Sequence, residues 1–180
     1  MKIDLHTHST ASDGGLSPAD LVTLAGSCGV GLLALTDHDT VGGLSEAAEA
    51  ARREGIAFVP GIEISALWNE RTIHVVGLGI RHEDGRMDAA FSGVGGKRIN
   101  RGKEIARRLS ELGIEGAYEG AMRYCRHPEA LGRAHFARWL CNSRHVASYQ
   151  EAFDKYLKDG APAFVRAVWP SVPRAVELIL

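Results

Sequence analysis

Short apolar runs alternate with amphipathic stretches along the first 80 residues of the chain. A short apolar run is typical of a strand, and a strand buried on both faces is apolar throughout. These runs predict strands over residues 2–5, 31–36, 56–60, 62–66 and 72–80. Between them, apolar positions at helical spacing predict helices over about 18–29 and 43–53, and Ser17 before Pro18 is a good cap for the first. Strands that alternate with helices are typical of a parallel α/β fold.

The pattern changes after residue 83 and becomes mostly helical. Apolar side chains recur at helical spacing: Ile99, Ile105, Leu109 and Leu112, then Phe136 and Leu140, then Phe153, Tyr156 and Leu157. An extended segment over 163–168 and a helix from Ser171 follow, and this helix is still apolar at Leu180. We therefore expect three parts: the start of an α/β domain in 1–83, a helical insertion laid over it in 84–160, and a return to it in 161–180. Because an α/β chain needs a strand after its last helix, we also expect a further C-terminal portion.

Composition narrows the class of protein. The chain has 180 residues, 45% apolar and 24% charged, which is ordinary for one globular domain with a real core. The net charge of −1 argues against a generally basic nucleic-acid binder. No run of 18 apolar residues occurs, so we expect no membrane span. The cysteines Cys28, Cys125 and Cys141 form no paired motif and no signal pattern opens the chain, so we expect a cytoplasmic protein.

Metal-ligating side chains recur at the ends of the predicted strands. They are His6, His8, Asp13, His38 and Glu63, with His74 inside the last strand. Residues two apart on a strand point to the same side, so His6 and His8 form a pair. Ligands bind at the carboxyl ends of parallel strands, and nitrogen and oxygen ligands without thiolate suit Mn, Fe or Zn in a hydrolytic site. Each residue alone can equally be a hydrogen-bonded loop residue, and His74 is either a core histidine or a ligand.

Two further segments are rich in cations. In the first, a run of glycines precedes four of them: Lys97, Arg98, Arg101 and Lys103. Because Arg98 rather than Ser or Thr follows Lys97, we reject a Walker-type phosphate loop. Cations near a helix start either bind a phosphate or form a solvated face. The same two interpretations hold for Arg133 and His135, which begin another predicted helix.

Several blocks of the sequence resemble a known family. Asp4-Leu5-His6-Thr7-His8-Ser9, Asp13-Gly14, Leu35-Thr36-Asp37-His38-Asp39-Thr40, Pro60-Gly61-Ile62-Glu63-Ile64-Ser65 and His74-Val75-Val76-Gly77 resemble the PHP (polymerase and histidinol phosphatase) phosphoesterases. Gly132-Arg133-Ala134-His135-Phe136-Ala137 and Glu151-Ala152-Phe153-Asp154-Lys155-Tyr156-Leu157 resemble the helical insertion of the TrpH-like branch. Members of that branch act on nucleoside 3′,5′-bisphosphates and on the 5′ ends of short RNAs.

This resemblance implies a distorted seven-stranded β/α barrel with three divalent metal ions. It implies that His6 and His8 hold one ion, Asp13 and His38 a second and His74 a third, with Glu63 bridging. The family completes the site with a further His and an Asp-x-His pair that this sequence does not contain. We expect those ligands in the C-terminal portion.

The function expected from this resemblance is removal of the 3′-phosphate from a nucleoside 3′,5′-bisphosphate, with manganese as the metal and Fe or Zn as alternatives. Asp13 and His38 would also contact the phosphoryl group, as catalytic and substrate-binding residues. Candidates for the second phosphate and the nucleoside are Asn100, Arg101, Arg133 and His135. The alternatives are a 5′→3′ exoribonuclease on short RNA, a histidinol-phosphate phosphatase, and a catalytically silent PHP module. The expected partner is a small nucleotide, with short RNA 5′ ends as the alternative, and we expect no obligate protein partner.

Overall fold

The computed structural model describes residues 1–83, 85–91 and 93–180, with residue 88 described by its backbone alone. These residues form two compact units, Met1–Ser92 with Trp169–Leu180 and Gly93–Val168, which we call the strand unit and the helical unit. The sequence placed the start of the insertion at residue 84, which lies outside the described residues. The division into 1–83, 84–160 and 161–180, and the role of the insertion as a cover, stay predictions.

The strand unit contains a four-stranded sheet within the described residues. Its strands are β1 (Lys2–Thr7), β2 (Val30–Leu35), β3 (Ala57–Trp68) and β4 (Arg71–Leu78), hydrogen-bonded in that order. The first three are mutually parallel, as the sequence predicted, whereas β4 is antiparallel to β3. The parallel expectation is wrong for β4 because Asn69 and Glu70 have φ values of 46° and 64°, the left-handed pair of a tight hairpin turn. The α/β class is confirmed, and the seven-stranded barrel stays a prediction.

Two helices cross over between the parallel strands. They are α1 (Pro18–Ser27) and α2 (Leu44–Glu54). The predicted cap of α1 is confirmed, since the Ser17 side chain accepts a hydrogen bond from the backbone N–H of Asp20. α2 ends at Gly55, whose φ of 68° favours glycine. The core between helices and sheet contains fully buried Val22, Leu33 and Ile62, among others, and it fixes the strands whose ends carry the polar cluster.

β3 is longer than the sequence indicated. The predicted strands over 56–60 and 62–66 form one strand of 12 residues. Pro60 and Gly61 do not interrupt it, because Gly61 lies where a Cβ would come within 2.8 Å of Thr36 Cγ2 and 3.0 Å of the Gly77 carbonyl oxygen. The strand passes close to both neighbours, and Glu63 therefore lies within it rather than at its end.

The last segments of the strand unit are helical. They are α3 (Arg86–Phe91), which precedes the helical unit in the chain, and α8 (Val172–Ile179), which follows it. α8 packs against β3 and β4. Residues 164–168 of the extended segment expected over 163–168 form neither a helix nor a strand, and a backbone bridge joins Leu67 to Ser171 further along the chain.

The helical unit has its own core. Its elements are α4 (Val94–Glu111), α5 (Ala117–Met122), a 3₁₀ turn (Pro128–Ala130), α6 (Arg133–Asn142), α7 (Tyr149–Ala152) and a π-helical turn (Phe153–Leu157). The predicted core residues Ile105, Leu109, Phe136, Leu140 and Leu157 are buried, whereas Leu112 is 46% exposed because it lies just beyond the end of α4. Across the described residues, every helix is too short or too polar to cross a membrane.

Candidate metal centre

The strands bring the predicted ligands together at one side of the sheet. His6 lies in β1 and His8 follows it two positions later, so both side chains point the same way. His38 follows β2 and forms a parallel bridge with Glu63 of β3. His74 of β4 lies opposite Ser65, two residues from Glu63. Pairing of neighbouring strands therefore gathers residues that are up to 68 positions apart in the chain.

Glu63 lies at the centre of this cluster. It is 5% exposed. Its Oε2 is 2.9 Å from His6 Nε2 and 3.0 Å from His8 Nε2, and its Oε1 is 3.0 Å from His74 Nδ1. His38 Nδ1 lies 3.6 Å from Oε2. The structure thus places His74 beside Glu63 rather than in the core, and its role as a metal ligand stays a prediction.

Asp13 closes the other side of the cluster. Its Oδ1 lies 3.8 Å from His8 Nδ1 and its Oδ2 4.0 Å from His38 Nε2. The His8 and His38 rings stack with their centroids 4.6 Å apart. His8 therefore has one nitrogen towards Glu63 and the other towards Asp13.

The electrostatics favour the ligand forms of Glu63 and His38. Burial acts to raise the pKa of Glu63, but hydrogen bonds from His74 and His8 outweigh it and hold that pKa well below its usual range. Burial lowers the pKa of His38 to about 4, against the opposing charges of Asp13 and Glu63. Burial also works against protonation of His8, yet its hydrogen bond to Glu63 and the charge of Asp13 leave its pKa raised. Glu63 is thus a carboxylate, and His38 a neutral imidazole, near pH 7.

The unpaired nitrogens fit a metal ion. His8 Nδ1 and His38 Nδ1 are buried and have no hydrogen-bond partner among the described residues. A buried imidazole nitrogen without a hydrogen bond is costly unless something binds it. Within the described residues, three overlapping groups have ligand atoms within 4.8 Å of one another: His6 with His8 and Glu63, His8 with Asp13 and His38, and His38 with Glu63 and His74. Six nitrogen and oxygen ligands in this arrangement define a candidate centre for divalent metals.

The sequence analysis did not predict a role for two buried aspartates that lie beside His38. Asp37 is 2% exposed and Asp39 6% exposed, and both carboxylates accept hydrogen bonds from serine side chains. Burial raises the pKa of Asp37, although hydrogen bonds from Ser12 and Ser9 oppose this. A signal was present in the sequence, since a charged residue on each side of a ligand histidine directly after a buried strand needs partners.

Four of the six predicted substrate residues lie in the helical unit, and two of them, Arg101 and Arg133, form a cationic cluster with Arg98. Arg101 Nε donates to the Val165 carbonyl oxygen at 2.8 Å. Burial, with the charges of Arg133 and Arg98, lowers the pKa of Arg101 to about 9. The sequence had marked Arg98 only as one member of a cation run, although its spacing of three from Arg101 places both on one side of α4.

Arg133 lies among carbonyls and rings. Its Nη1 donates to the Leu157 carbonyl oxygen at 3.2 Å, and its guanidinium lies 5.8 Å and 5.6 Å from the ring centroids of Phe153 and Phe164. Burial lowers its pKa, opposed by the charge of Asp159. The guanidinium is thus held by a backbone carbonyl and two aromatic rings, and the charge of Asp159 also acts on it.

Asn100 and His135 differ in exposure. Asn100 is exposed on α4. His135 is 1% exposed, and its Nδ1 accepts a hydrogen bond from the Gly132 N–H at 3.0 Å at the start of α6. Its observed contact is therefore a helix cap, and substrate contact by either residue stays a prediction.

A sheet whose strands carry a histidine and carboxylate cluster of this kind is typical of metal-dependent hydrolases. The chain matches the PHP domain over residues 4–159 and belongs to that family. The resemblance of the sequence blocks is thereby confirmed.

Three similar proteins extend this comparison. The chain is 43% identical over 178 residues to the 3′,5′-nucleoside bisphosphate phosphatase of Chromobacterium violaceum, covering 99% of this chain and 62% of that protein. It is 44% identical over 178 residues to a 5′-3′ exoribonuclease of Haemophilus influenzae, covering 99% and 64%. The structure of an amidohydrolase from Chromobacterium violaceum, with bound sulfate and no metal, superimposes with a TM-score of 0.96 at 43% identity, covering 99% and 63%. The chain therefore spans about three fifths of the length of these relatives.

Proposed function

We propose that the protein containing this chain is a metal-dependent phosphomonoesterase that hydrolyses the 3′-phosphate of nucleoside 3′,5′-bisphosphates. The observation that carries the proposal is the Glu63 cluster, with its buried nitrogens on His8 and His38 that no described residue binds. The similarity to a 3′,5′-nucleoside bisphosphate phosphatase over nearly the whole chain supports the choice of substrate. The expected partner is a small nucleotide; no obligate protein partner is expected, and a cytoplasmic location stays a prediction.

We assign the metal ions to the three overlapping groups. His6, His8 and Glu63 would hold one ion, Asp13 and His38 with His8 a second, and His74 with His38 and Glu63 a third. Divalent ions in such a site, manganese foremost, activate water and neutralise phosphoryl oxygens. The low pKa of Glu63 and the neutral ring of His38 keep both as ligands at neutral pH.

Asp13 and His38 are the residues that we assign to catalysis. Their side chains face each other across 4.0 Å at the edge of the cluster, and both are only partly exposed. We assign to them contact with the phosphoryl group or the departing 3′-oxygen.

Arg101 and Arg133 are the strongest candidates for the second phosphate. Both are half-buried, and each donates a hydrogen bond to a backbone carbonyl, which does not neutralise a positive charge. A guanidinium binds phosphate oxygens through paired N–H groups. Asn100 and His135 are kept as candidates for the nucleoside, without further support.

Phosphate release from 3′-phosphoadenosine 5′-phosphate with manganese tests the proposal. We expect turnover by the full-length protein, loss of turnover on chelation, and recovery when manganese is returned. His8→Ala should abolish turnover and His127→Ala, which removes an exposed histidine of the helical unit, should not. Turnover that survives chelation or the His8→Ala change would exclude the assignment.

A 5′→3′ exoribonuclease is the second candidate, because the exoribonuclease of Haemophilus influenzae is as similar to this chain as the phosphatase is. The kcat/KM for the bisphosphate, set against that for a 5′-labelled short RNA under the same conditions, separates the two. A silent module would bind no manganese and act on neither.

A further inference from the structure

We infer that Asp37, together with Ser9 and Ser12, positions His8, Asp13 and His38 as one metal-binding group. Asp37 is thus a positioning residue that contacts neither metal nor substrate. The inference rests on the proposed metal site and concerns the ligand group of His8, Asp13 and His38.

Ser9, Ser12 and Asp37 form a positioning cluster, and each of them is the neighbour in sequence of one predicted ligand. Ser9 directly follows His8, Ser12 directly precedes Asp13, and Asp37 directly precedes His38. The ligand group and the cluster behind it therefore share the same three backbone segments. A shift of any one segment moves a ligand and a member of the cluster together.

Three hydrogen bonds join the cluster. Asp37 Oδ1 accepts from the Ser9 backbone N–H at 2.7 Å and from the Ser12 hydroxyl at 2.5 Å, and its Oδ2 accepts from the Ser9 hydroxyl at 2.6 Å. The three residues are 0%, 3% and 2% exposed in chain order. Hydrogen bonds to a buried carboxylate are short and strong, and losing one leaves a desolvated charge. The arrangement therefore resists displacement far more than a surface loop would.

The loop between the two serines is folded tightly onto itself. The Ser9 carbonyl oxygen accepts from the N–H groups of Ser12 and Gly14 at 3.1 Å and 2.9 Å, and the Ser9 hydroxyl accepts from the Ala11 N–H at 3.1 Å. Gly14 passes so close that a Cβ would lie 2.2 Å from the His8 carbonyl oxygen. Since Asp13 lies inside this turn, its direction depends on the anchor that Asp37 provides.

A separate contact holds the other side of His38. Asp39 has a φ of 54° and accepts hydrogen bonds from the Ser65 N–H at 2.7 Å and hydroxyl at 2.9 Å. Ser65 lies opposite His74 in the β3–β4 pair. The Asp39 contact therefore belongs with the ligand group of His38, Glu63 and His74, and the two aspartates beside His38 serve different groups.

A double-mutant cycle on manganese binding tests the inference. Manganese bound per chain is measured by equilibrium dialysis and elemental analysis of the full-length protein, without reference to activity. We expect Asp37→Ala to weaken one class of manganese site by about 10- to 100-fold, and Asp37→Asn, which keeps the shape and most of the hydrogen bonds, to restore most of that loss. Val22→Ala, a core change on α1, serves as the control for lowered stability.

The cycle assigns the effect to a ligand group. Asp37→Ala combined with Asp13→Asn should weaken binding no more than Asp13→Asn alone, because both act on the same ion. Combined with His74→Ala, its effect should multiply. If Asp37→Ala yields no folded protein, Ser12→Ala is measured in the same cycle, with a smaller loss expected.

The outcomes separate the inference from the proposed function. Wild-type protein that binds no manganese would overturn the proposed function and the inference with it. Wild-type binding together with an Asp37→Ala effect equal to that of Val22→Ala, or an effect that multiplies with Asp13→Asn, would overturn the inference alone.

Discussion

In the strand unit the clustered polar side chains bind one another, whereas in the helical unit the clustered arginines bind backbone carbonyls. Three histidines make close contacts to the Glu63 carboxylate, and a fourth, His38, lies 3.6 Å from it. Arg101 and Arg133 instead donate to the carbonyls of Val165 and Leu157. The first cluster has imidazole nitrogens that no described residue binds, so it suits cations. The second brings several guanidinium groups close together, so it suits anions.

The pKa shifts express the same contrast. The imidazoles hold the pKa of Glu63 far down, although burial alone would raise it. In the helical unit burial and neighbouring arginines act in the same direction, and they lower the pKa of Arg101 to about 9. Hydrogen bonds therefore outweigh burial at Glu63, whereas burial and neighbouring like charges both oppose the protonated form of Arg101.

The largest effect should follow from a substitution of Glu63, at the centre of the histidine and carboxylate cluster. Glu63→Gln removes the carboxylate that two of the three ligand groups share, so we expect bound manganese to fall and kcat/KM to drop by at least about 100-fold. Glu49→Gln, an exposed change on α2, is the control. Retention of both metal and activity in Glu63→Gln would contradict the role of the cluster.

A smaller effect is expected in the helical unit. Arg101→Ala should lower kcat/KM for the bisphosphate by about 10- to 100-fold, since a charge-assisted hydrogen bond contributes about 1.5–3 kcal/mol. Bound manganese should not change. Arg107→Ala on the same helix, which removes an exposed arginine paired with Glu104, should leave both unchanged. Loss of manganese in Arg101→Ala would show that the two clusters are not distinct in function.

Neighbouring glycines offer a matched pair in the loop that carries Asp13. Gly14→Ala should lower the free energy of unfolding by about 1–3 kcal/mol and weaken manganese binding, because the new Cβ meets the His8 carbonyl oxygen at 2.2 Å. Gly15→Ala meets no described atom within 4 Å and should change neither. Thermal unfolding and metal content measure both variants, and equal behaviour of the pair would contradict the loop geometry.

The smallest effect should come from the exposed charges of α4. Hydrogen bonds from Arg107 and Arg108 lower the pKa of Glu104 to about 2. Because the folded pKa lies below the ordinary value of 4.5, the contribution of Glu104 is present above about pH 4.5 and is lost as the pH falls towards 2. Glu104→Gln should lower the Tm by no more than about 2 °C at pH 7, since exposed ion pairs are screened by water. A large shift would show that α4 depends on its surface charges.

Local patterns predicted much of the fold. The Ser17 cap of α1, the glycine end of α2 and the three parallel strands follow from residue types and spacing that neighbouring positions decide. The direction of β4 could not be read from its own residues, because Asn69 and Glu70 determine it through a turn that reverses the chain. The length of β3 likewise depends on close neighbours at Gly61 rather than on its apolar pattern.

The sequence by itself determined which ligand types this protein carries and where each lies along its strand. His6 and His8 share a side because strand geometry has a period of two, and His38 follows a continuous apolar run that is typical of a buried strand. These properties depend only on neighbouring residues, so they can be predicted before the fold is known.

Only the tertiary structure decided which residues meet. His6 and Glu63 are 57 positions apart, and Ser9 and Asp37 are 28 apart, so their contacts exist only once the strands have paired. The same holds for Arg101 of α4, which contacts the Val165 carbonyl, and for Arg133 of α6, which contacts the Leu157 carbonyl and two aromatic rings. Long-range contacts depend on how buried surfaces pack, and the sequence of any one segment does not contain that information.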